Sequence, residues 1–344
     1  MPQSTSPDEL PAGAIPELTP EDDGFHPASD HWWETETAWF SFNIPERKIG
    51  GWFYNQVLAT QKVCNGGAWV WDDSPAGALY EVRHQGLPLE DLDQLDLRDV
   101  QLPNGNHIQC LEPLMSYRVR YSDPGSFEAD LRFDGIMAPN SHPIGAPPFW
   151  RGRHFDQPMH VTGTIVVHGE ELAVDCLSVR DRSWGPRPMG PDPRKPKPAP
   201  DPSAPRKPPR PPEGVGYPFA TADHRNGWLL YTRPTIVDGV ASDELSTGYL
   251  LRDGEYGHLV EGRRRTWLDP DTRWIRRIEL EAVDEHGREL RATGELVSRH
   301  GADPVSSGTG LFLWEWDGLT GWGEDQTYAP QPVLEALDAT TARP

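Results

Sequence analysis

Residues 161–179, VTGTIVVHGEELAVDCLSV, decide the fold class of this chain. Apolar side chains alternate with threonines up to the pair His168-Gly169, and they alternate again with polar residues on the return to Val179. A two-residue period on both sides of a turn dipeptide predicts a β-hairpin. The stretch therefore favours an antiparallel β protein over a helical or α/β one.

The same pattern extends over most of the sequence. About 16 short strand-like segments are separated by turn residues at intervals of about 8–12 residues, which is typical of sandwiches and barrels. Only the region from residue 332 to residue 342 has a helical pattern. A Trp-Gly pair ends each half of the chain, at Trp184-Gly185 and at Trp322-Gly323. We therefore expect two similar β units in tandem.

Composition divides the chain into five parts. Residues 1–24 contain six carboxylates and no basic residue, which predicts a disordered acidic leader. Residues 25–185 are predicted to form the first β domain and residues 215–330 the second. Residues 186–214 are predicted to form an extended basic loop or insertion, because Pro186 to Pro212 carry thirteen prolines and a local charge of +5. Residues 331–344 are expected to form a short C-terminal tail.

The charge of the chain excludes several classes of partner. With 32 Lys+Arg against 53 Asp+Glu, the net charge is −21, which repels nucleic acid and anionic membrane surfaces. The apolar runs fall far short of the ~20 residues that a membrane span needs. The N-terminus lacks the features of a secretory signal. We therefore expect a soluble, cytoplasmic protein, and its oligomeric state stays open.

Cysteine and histidine usage argues against metal binding. Three cysteines are too few and too scattered for a disulfide framework or a zinc site, and the twelve histidines are dispersed. The fourteen tryptophans are the larger signal, because they can build rigid apolar surfaces around a ligand.

Residues 180–187, RDRSWGPR, are the most polar segment that directly follows an apolar strand. Asp181 lies between Arg180 and Arg182, which would lower its pKa if their charges are near, while burial would raise it. Two interpretations remain open. The segment is either an ion-pair corner that closes a barrel or part of a catalytic site.

The motif also carries a family resemblance. Together with residues 154–158 (HFDQP) and the hairpin at 161–179, residues 180–187 resemble the central block of the carotenoid 1,2-hydratase (hydroxyneurosporene synthase)-like superfamily. Fungal kievitone hydratase and lipocalin-like Diels–Alderases belong to that superfamily. Residues 314–324 resemble its final block. The resemblance implies two lipocalin-like antiparallel β-barrels in tandem, a hydrophobic pocket in or between them, a bulky apolar substrate, and no metal or organic cofactor.

This chain departs from the family pattern at Arg182, where the family has a histidine associated with catalysis. Trp184 matches the family's catalytic tryptophan. Arginine cannot transfer a proton near neutral pH, since its pKa is above ~12. Asp181 therefore becomes the candidate acid, provided that burial raises its pKa, and Arg182 would otherwise orient or polarise a ligand carbonyl or phosphate.

Five further residues are candidate substrate contacts. His154 and His160 flank the central block, although a structural role for such histidines is also open. Tyr217, Asp223 and His224 lie nearest to the positions at which the hydratases carry a later tyrosine and aspartate.

The resulting functional hypothesis is a cofactor-independent hydratase, dehydratase or cyclase that acts on a hydrophobic, isoprenoid-like molecule. A general acid would protonate a double bond, and aromatic faces would stabilise the cation by ~0.5–2 kcal/mol per ring. Two alternatives stay open. One is a non-catalytic carrier of a hydrophobic ligand, which the arginine at position 182 favours. The other is a cofactor-free isomerase or Diels–Alderase-like catalyst that works by proximity and orientation.

Overall fold

The computed structural model of the chain describes residues 11–148, 152–195, 213–237, 239–300 and 308–339. The first ten residues of the predicted leader and most of the proline-rich segment, residues 196–212, lie outside the described residues.

Eleven strands form one antiparallel sheet in the first half of the chain. They are β1 (Glu34–Ile44), β2 (Ile49–Leu58), β3 (Val63–Trp71), β4 (Tyr80–Pro88), β5 (Asp99–Gln101), β6 (Asn106–Glu112), β7 (Ser116–Asp123), β8 (Phe127–Gly135), β9 (Asn140–Ser141), β10 (Arg153–Val167) and β11 (Glu170–Pro186). The strand order is β4-β3-β2-β1-β11-β10-β8-β7-β6-β5, and β9 pairs with β10. The sheet curls like a half-barrel, and its edge strands β4 and β5 do not pair with each other.

The second half is a closed barrel of eight antiparallel strands in chain order. They are β12 (Val215–Asp223), β13 (Asn226–Val237), β14 (Val240–Arg252), β15 (Glu255–Leu268), β16 (Ile275–Asp284), β17 (Glu289–His300), β18 (Gly308–Trp316) and β19 (Leu319–Tyr328). Helix α1 (Gln331–Leu337) follows, and its Val333 and Leu334 pack into the barrel core. The all-β, tandem lipocalin-like fold is confirmed, with one unit closed and one open.

The hairpin predicted from residues 161–179 is present as β10 and β11, which pair along 15 residue pairs from Arg153↔Trp184 to Val167↔Glu170. The turn consists of His168 and Gly169, with φ of 49° and 85°. Two successive positive φ angles match the twist of the strands that the turn joins.

The core of the barrel is filled by side chains. The barrel core contains Trp228, Trp314 and Trp316, of which the first two rings contact edge to face at 4.8 Å. A cavity beside Phe312 and Leu334 has a volume of about 10 Å³, which is room for about one water molecule at most. The open space that matters for a ligand must therefore be sought outside this core.

The boundary between the two domains is aromatic. Four tryptophans of the sheet, on its outer face, pack against outward-facing residues of β12, β13 and β14 in one buried cluster. The sheet contributes Trp39, Trp52, Trp69 and Trp71, and the barrel contributes Tyr217, Phe219, Leu229, Tyr231, Tyr249 and Leu251. The tryptophans expected to surround a pocket thus divide mainly between this boundary and the barrel core.

The described part of the predicted leader is packed on the first domain. Residues Pro20–Asp23 form a 3-10 turn, and the Asp23 carboxylate inside the sheet accepts hydrogen bonds from the Tyr117 hydroxyl at 2.7 Å and the Leu114 N–H at 2.5 Å. Arg180 lies 3.5 Å from the same carboxylate. This part of the leader is therefore ordered by buried polar contacts, which composition alone does not reveal.

Helix α1 has seven residues, and no helix in the described ranges has the length and apolar character that a membrane crossing requires.

Candidate active site between the two domains

Strand register places a row of functional side chains on the outer face of the sheet. Asp181 of β11 lies opposite Trp39 of β1 on one side and opposite Asp156 of β10 on the other. Tyr54 of β2 continues the row beyond Trp39. Directly opposed residues of antiparallel strands point to the same face. The row therefore faces the barrel.

Asp156 is the centre of a sealed polar group. Its side chain is fully buried, and its two oxygens lie 2.6 Å from His142 Nε2 and 3.0 Å from His154 Nε2. The Tyr217 hydroxyl donates to Oδ1 at 2.7 Å, and the Tyr231 hydroxyl lies 3.0 Å from His154 Nε2. We call these five residues the Asp156 cluster. Because both tyrosines belong to the barrel, the cluster is complete only when the two domains are docked.

Within this cluster Asp156 is ionised and His154 is neutral. Burial would raise the pKa of Asp156, but its interactions with His154 and His142 outweigh burial and hold the pKa below its usual range. Burial lowers the pKa of His154 to about 4, so its imidazole is neutral at pH 7. The cluster thus contains an ionised carboxylate that is held by hydrogen bonds from surrounding side chains.

Asp181 has the opposite character. Burial and the neighbouring Asp156 charge raise its pKa well above the ordinary value, against the opposing effect of Arg187, Arg182 and Arg180. The sequence analysis proposed Asp181 as an acid only if burial raises its pKa, and burial does raise it. A carboxyl group with a raised pKa keeps its proton to higher pH, and a protonated carboxyl can act as a general acid.

Three residues of this region keep accessible surface although protein surrounds them. Tyr54, Asp181 and Arg187 are half-buried, whereas Asp156 and Tyr217 are sealed. We call these three residues the recess. The Arg187 guanidinium donates to Ser183 Oγ at 2.5 Å. Its charge acts on the Tyr54 phenol, whose pKa it lowers against the larger effect of burial. The recess thus joins a carboxyl group of raised pKa, a cation and a phenol.

A cleft of about 220 Å³ opens at the same domain boundary. Pro147 and Pro148 line it from the first domain, and Val215, Thr232 and Tyr328 line it from the barrel. The residues that line this cleft include none of the Asp156 cluster or of the three half-buried residues above.

Arg182 and Trp184 lie on the other face of β11. Arg182 forms an ion pair with Glu36 and donates to the carbonyl oxygens of Thr37 and Gly24 at 2.8 Å. Trp184 stacks on His26, with ring centroids 4.2 Å apart. A strand alternates its side chains between two faces, so residues 182 and 184 cannot share the face of residue 181. The structure therefore separates two of the three predicted catalytic residues from Asp181.

The five predicted substrate contacts also divide. His154 and Tyr217 belong to the Asp156 cluster. His160 lies further along β10, where it contacts the Asp175 carboxylate at 2.7 Å and the His224 ring at 5.0 Å. Asp223 and His224 are exposed at the turn between β12 and β13. Those three residues are not brought to the recess.

Several site residues were missed at the sequence level. Asp156 stands in the HFDQP motif, where nothing in the local sequence distinguishes it from a surface aspartate. His142, Tyr231, Tyr54 and Arg187 come from separate segments, and only strand register and domain docking bring them together.

A second buried acid lies at the domain boundary. Glu324 of β19 is only 2% exposed, and its Oε2 accepts a hydrogen bond from Trp52 Nε1 at 2.7 Å. Burial raises the pKa of Glu324 to about 8, against the effects of the Trp52 and Gln326 hydrogen bonds. Glu324 ends the segment 314–324 that resembles the final block of the family, and the sequence alone indicates no role for this acid.

His142, His154 and Asp156 could in principle hold a metal ion, since their ligand atoms lie within 4.8 Å of one another. Two histidines and one carboxylate form the ligand set of several metal enzymes, which also keep open coordination positions. Here the Nε2–O distances of 2.6 and 3.0 Å are those of hydrogen bonds, and two tyrosine hydroxyls contact the same atoms. The arrangement fits a hydrogen-bonded network better than a metal centre.

Solved structures with the same fold share little sequence with this chain. An AttH protein from Nitrosomonas europaea matches with a TM-score of 0.60 and 15% identity, covering 93% of this chain and 99% of its own. Kievitone hydratase from Nectria haematococca matches with a TM-score of 0.50 and 14% identity, covering 92% and 94%. CghA matches with a TM-score of 0.56 and 12% identity, covering 95% and 96%. At these identities the likeness shows a shared fold.

Sequence comparison gives a family. Among proteins with curated descriptions, none matches this chain. The family model described as a domain of unknown function, DUF7064, matches residues 19–194, just over half of the 344 residues, and this range includes Asp156, Asp181 and Arg187. The chain therefore belongs to the DUF7064 family.

Proposed function

We propose that this protein is a cofactor-independent acid–base catalyst of the hydratase, dehydratase or cyclase type, acting on a bulky and largely apolar molecule at the domain boundary. One observation carries the proposal. Two carboxyl groups, Asp156 and Asp181, lie opposite each other in strand register while their surroundings shift their pKa values in opposite directions. The Asp156 charge helps to raise the pKa of the facing Asp181, so the pair provides one proton donor beside a fixed negative charge.

Asp181 is the proton donor in this proposal, because it combines a raised pKa with accessible surface. A positioned general acid contributes typically ~10²–10⁴-fold to a rate. Asp156 is sealed from solvent, so it serves as a positioning residue that orients Tyr217 and His154. Arg182 and Trp184 support β11 from its other face.

The surroundings favour an apolar substrate body. Trp39 lies directly opposite Asp181, and its ring contacts those of Trp52 and Tyr217 edge to face. These rings are buried in the boundary cluster, so the protein around Asp181 on this side is apolar and rigid. The shared fold with kievitone hydratase, a protein named as a hydratase, supports the reaction class, and the sequence resemblance supports an isoprenoid-like or polyketide-like body.

A ligand screen followed by product analysis tests the proposal. Thermal shift with terpenoids, steroids and aromatic polyketides identifies binders, and mass spectrometry after incubation identifies products. A mass change equal to one water supports hydration or dehydration, and an unchanged mass with a new retention time supports cyclisation. Stabilisation without any product would contradict the enzyme proposal and support a carrier.

The decisive variant is Asp181→Asn, with Asp175→Asn as the matched control. Asp175 lies on the same strand and its carboxylate is exposed. We expect Asp181→Asn to lose ~10²–10⁴-fold in turnover with an unchanged melting temperature, and the control to keep full turnover. Full turnover in Asp181→Asn would remove the acid role.

A further inference from the structure

We propose that Arg187 and Tyr54 form an oxyanion site in the recess, and that the substrate carries a carbonyl group conjugated with the reacting carbons. This inference rests on the proposed function, because it places a second group of the same substrate beside Asp181. It narrows the substrate class from an apolar molecule with an isolated alkene to one with an α,β-unsaturated ketone or ester.

The position of Arg187 is well defined. It directly follows the end of β11 at Pro186, and its backbone N–H donates to the Trp33 carbonyl oxygen at 3.0 Å. Its guanidinium contacts Ser183 Oγ at 2.5 Å, and Ser183 Oγ lies 2.6 Å from Thr37 Oγ1. Ser183 shares the face of Asp181, so these contacts hold the guanidinium over the recess.

Two other arginines close to Asp181 in the chain face away from the recess. Arg182 pairs with Glu36 on the opposite face of the sheet, and Arg180 lies on that face beside Asp23. The Asp156 carboxylate is fully buried and receives the hydrogen bonds of its cluster. Among the charged side chains described around the recess, Arg187 is the cation that a ligand at Asp181 would meet.

The positive charge of Arg187 favours an anionic reaction intermediate over a cationic one. A guanidinium held beside the reacting carbons stabilises negative charge that develops on a substrate oxygen, in the manner of an oxyanion hole. The same cation disfavours a carbocation in the recess, because like charges repel. Protonation of an isolated alkene would create such a carbocation. A conjugated carbonyl instead lets the charge move to an oxygen.

The chemical steps balance without a further reactant. In the hydration direction, water adds to the β carbon, and the alkene electron pair moves onto the carbonyl oxygen to form an enolate that faces Arg187 and Tyr54. Asp181 then gives its proton to the α carbon as the carbonyl re-forms. The Asp181 carboxylate takes up the extra proton of the added water. The net reaction adds one water and restores the protonated acid; dehydration follows the same steps in reverse.

Binding of 4-nitrophenol tests the oxyanion site without knowledge of the substrate. This planar phenol absorbs visible light only when it is ionised, so its spectrum reports both binding and charge. We expect the intact protein to bind the phenolate form and to lower the apparent pKa of the probe. Arg187→Met should weaken phenolate binding ~10–100-fold, which is the effect of losing a charged hydrogen bond. Arg187→Lys, which keeps the charge but loses the planar fork, should fall between the two.

The control is Arg132→Met, because Arg132 is an exposed arginine on β8 that pairs with Asp134 at the surface. It should bind the probe as the unmodified protein does. Equal phenolate binding by Arg187→Met, or preferential binding of the neutral phenol by the unmodified protein, would overturn the inference. Asp181→Asn should still bind the phenolate, so the oxyanion site and the acid role can fail independently.

Discussion

The buried carboxyl group of Glu324 at the domain boundary should make the stability of the protein depend on pH, and a single substitution tests this. The substitution is Glu324→Gln. The glutamine keeps a carbonyl oxygen that can accept the hydrogen bond from Trp52 Nε1, and it removes the ionisation. Because burial raises the pKa of Glu324 from 4.5 to about 8, the folded protein holds a proton that the unfolded chain releases above about pH 4.5.

The sign and size of the effect follow from this difference. Below about pH 4.5 the carboxyl is protonated in both states and costs nothing. As the pH rises toward 8, stability falls by ~1.4 kcal/mol per pH unit, and it levels off above the folded pKa. At pH 7 the accumulated loss is about 3 kcal/mol. Glu324→Gln has no carboxyl group to ionise, so it does not lose this stability. Its free energy of unfolding, relative to that of the unmodified protein, should therefore rise by about 3 kcal/mol between about pH 4.5 and pH 7.

Urea unfolding at about pH 5, 7 and 8.5, followed by tryptophan fluorescence, measures this difference. Other buried acids contribute equally to both proteins and cancel in the comparison. Glu315→Gln is the control, since Glu315 is exposed on the neighbouring strand β18 and its replacement should change stability by no more than about 0.5 kcal/mol. A difference between Glu324→Gln and the unmodified protein that stays constant with pH would refute the reasoning.

Two further predictions concern buried polar contacts. Tyr217→Phe removes the hydroxyl that donates to Asp156 across the domain boundary, and it should lower the free energy of unfolding by about 1.5–3 kcal/mol in urea titration; an unchanged value would show that this contact does not hold the domains together. Arg264→Met leaves Asp243 and Asp325 buried in the barrel without their cation, 2.8 and 2.6 Å away in the intact protein. It should cost about 3–5 kcal/mol at pH 7 and less at pH 4, where the raised pKa of each carboxyl allows protonation; an equal cost at both pH values would contradict this explanation.

The tandem β fold was predictable because its main signals are local. The two-residue period of residues 161–179 and the turn pair His168-Gly169 specify the hairpin of β10 and β11 without reference to the rest of the chain. Whether the first sheet closes depends instead on its edge strands β4 and β5. Their pairing is a long-range property, and no local pattern reports it.

The site was only partly predictable. The sequence alone suggests Asp181 as the acid, provided that burial raises its pKa. In the structure, burial and the neighbouring Asp156 charge raise this pKa. The prediction that Asp181, Arg182 and Trp184 share one site was wrong in its geometry. Side chains alternate along a strand, so residues 182 and 184 lie on the inner face and residue 181 lies on the outer face. Applied to the predicted strand, the same two-residue period would have separated them.

The rest of the site depends on docking of distant segments. Tyr231 reaches His154 across the domain boundary, and His142 reaches Asp156 from the loop that follows β9. Neither pairing leaves a spacing pattern in the sequence, because the contacts are made between strands of different domains or between a loop and a strand.

The protonation state of Asp181 is the most direct test of the account, and carboxyl ¹³C NMR on the full chain with labelled aspartate measures it. Comparison with Asp181→Asn assigns the signal. The account predicts one aspartate signal, missing in the variant, that titrates well above the ordinary aspartate range. A signal for Asp181 that titrates in or below the ordinary aspartate range would contradict the account.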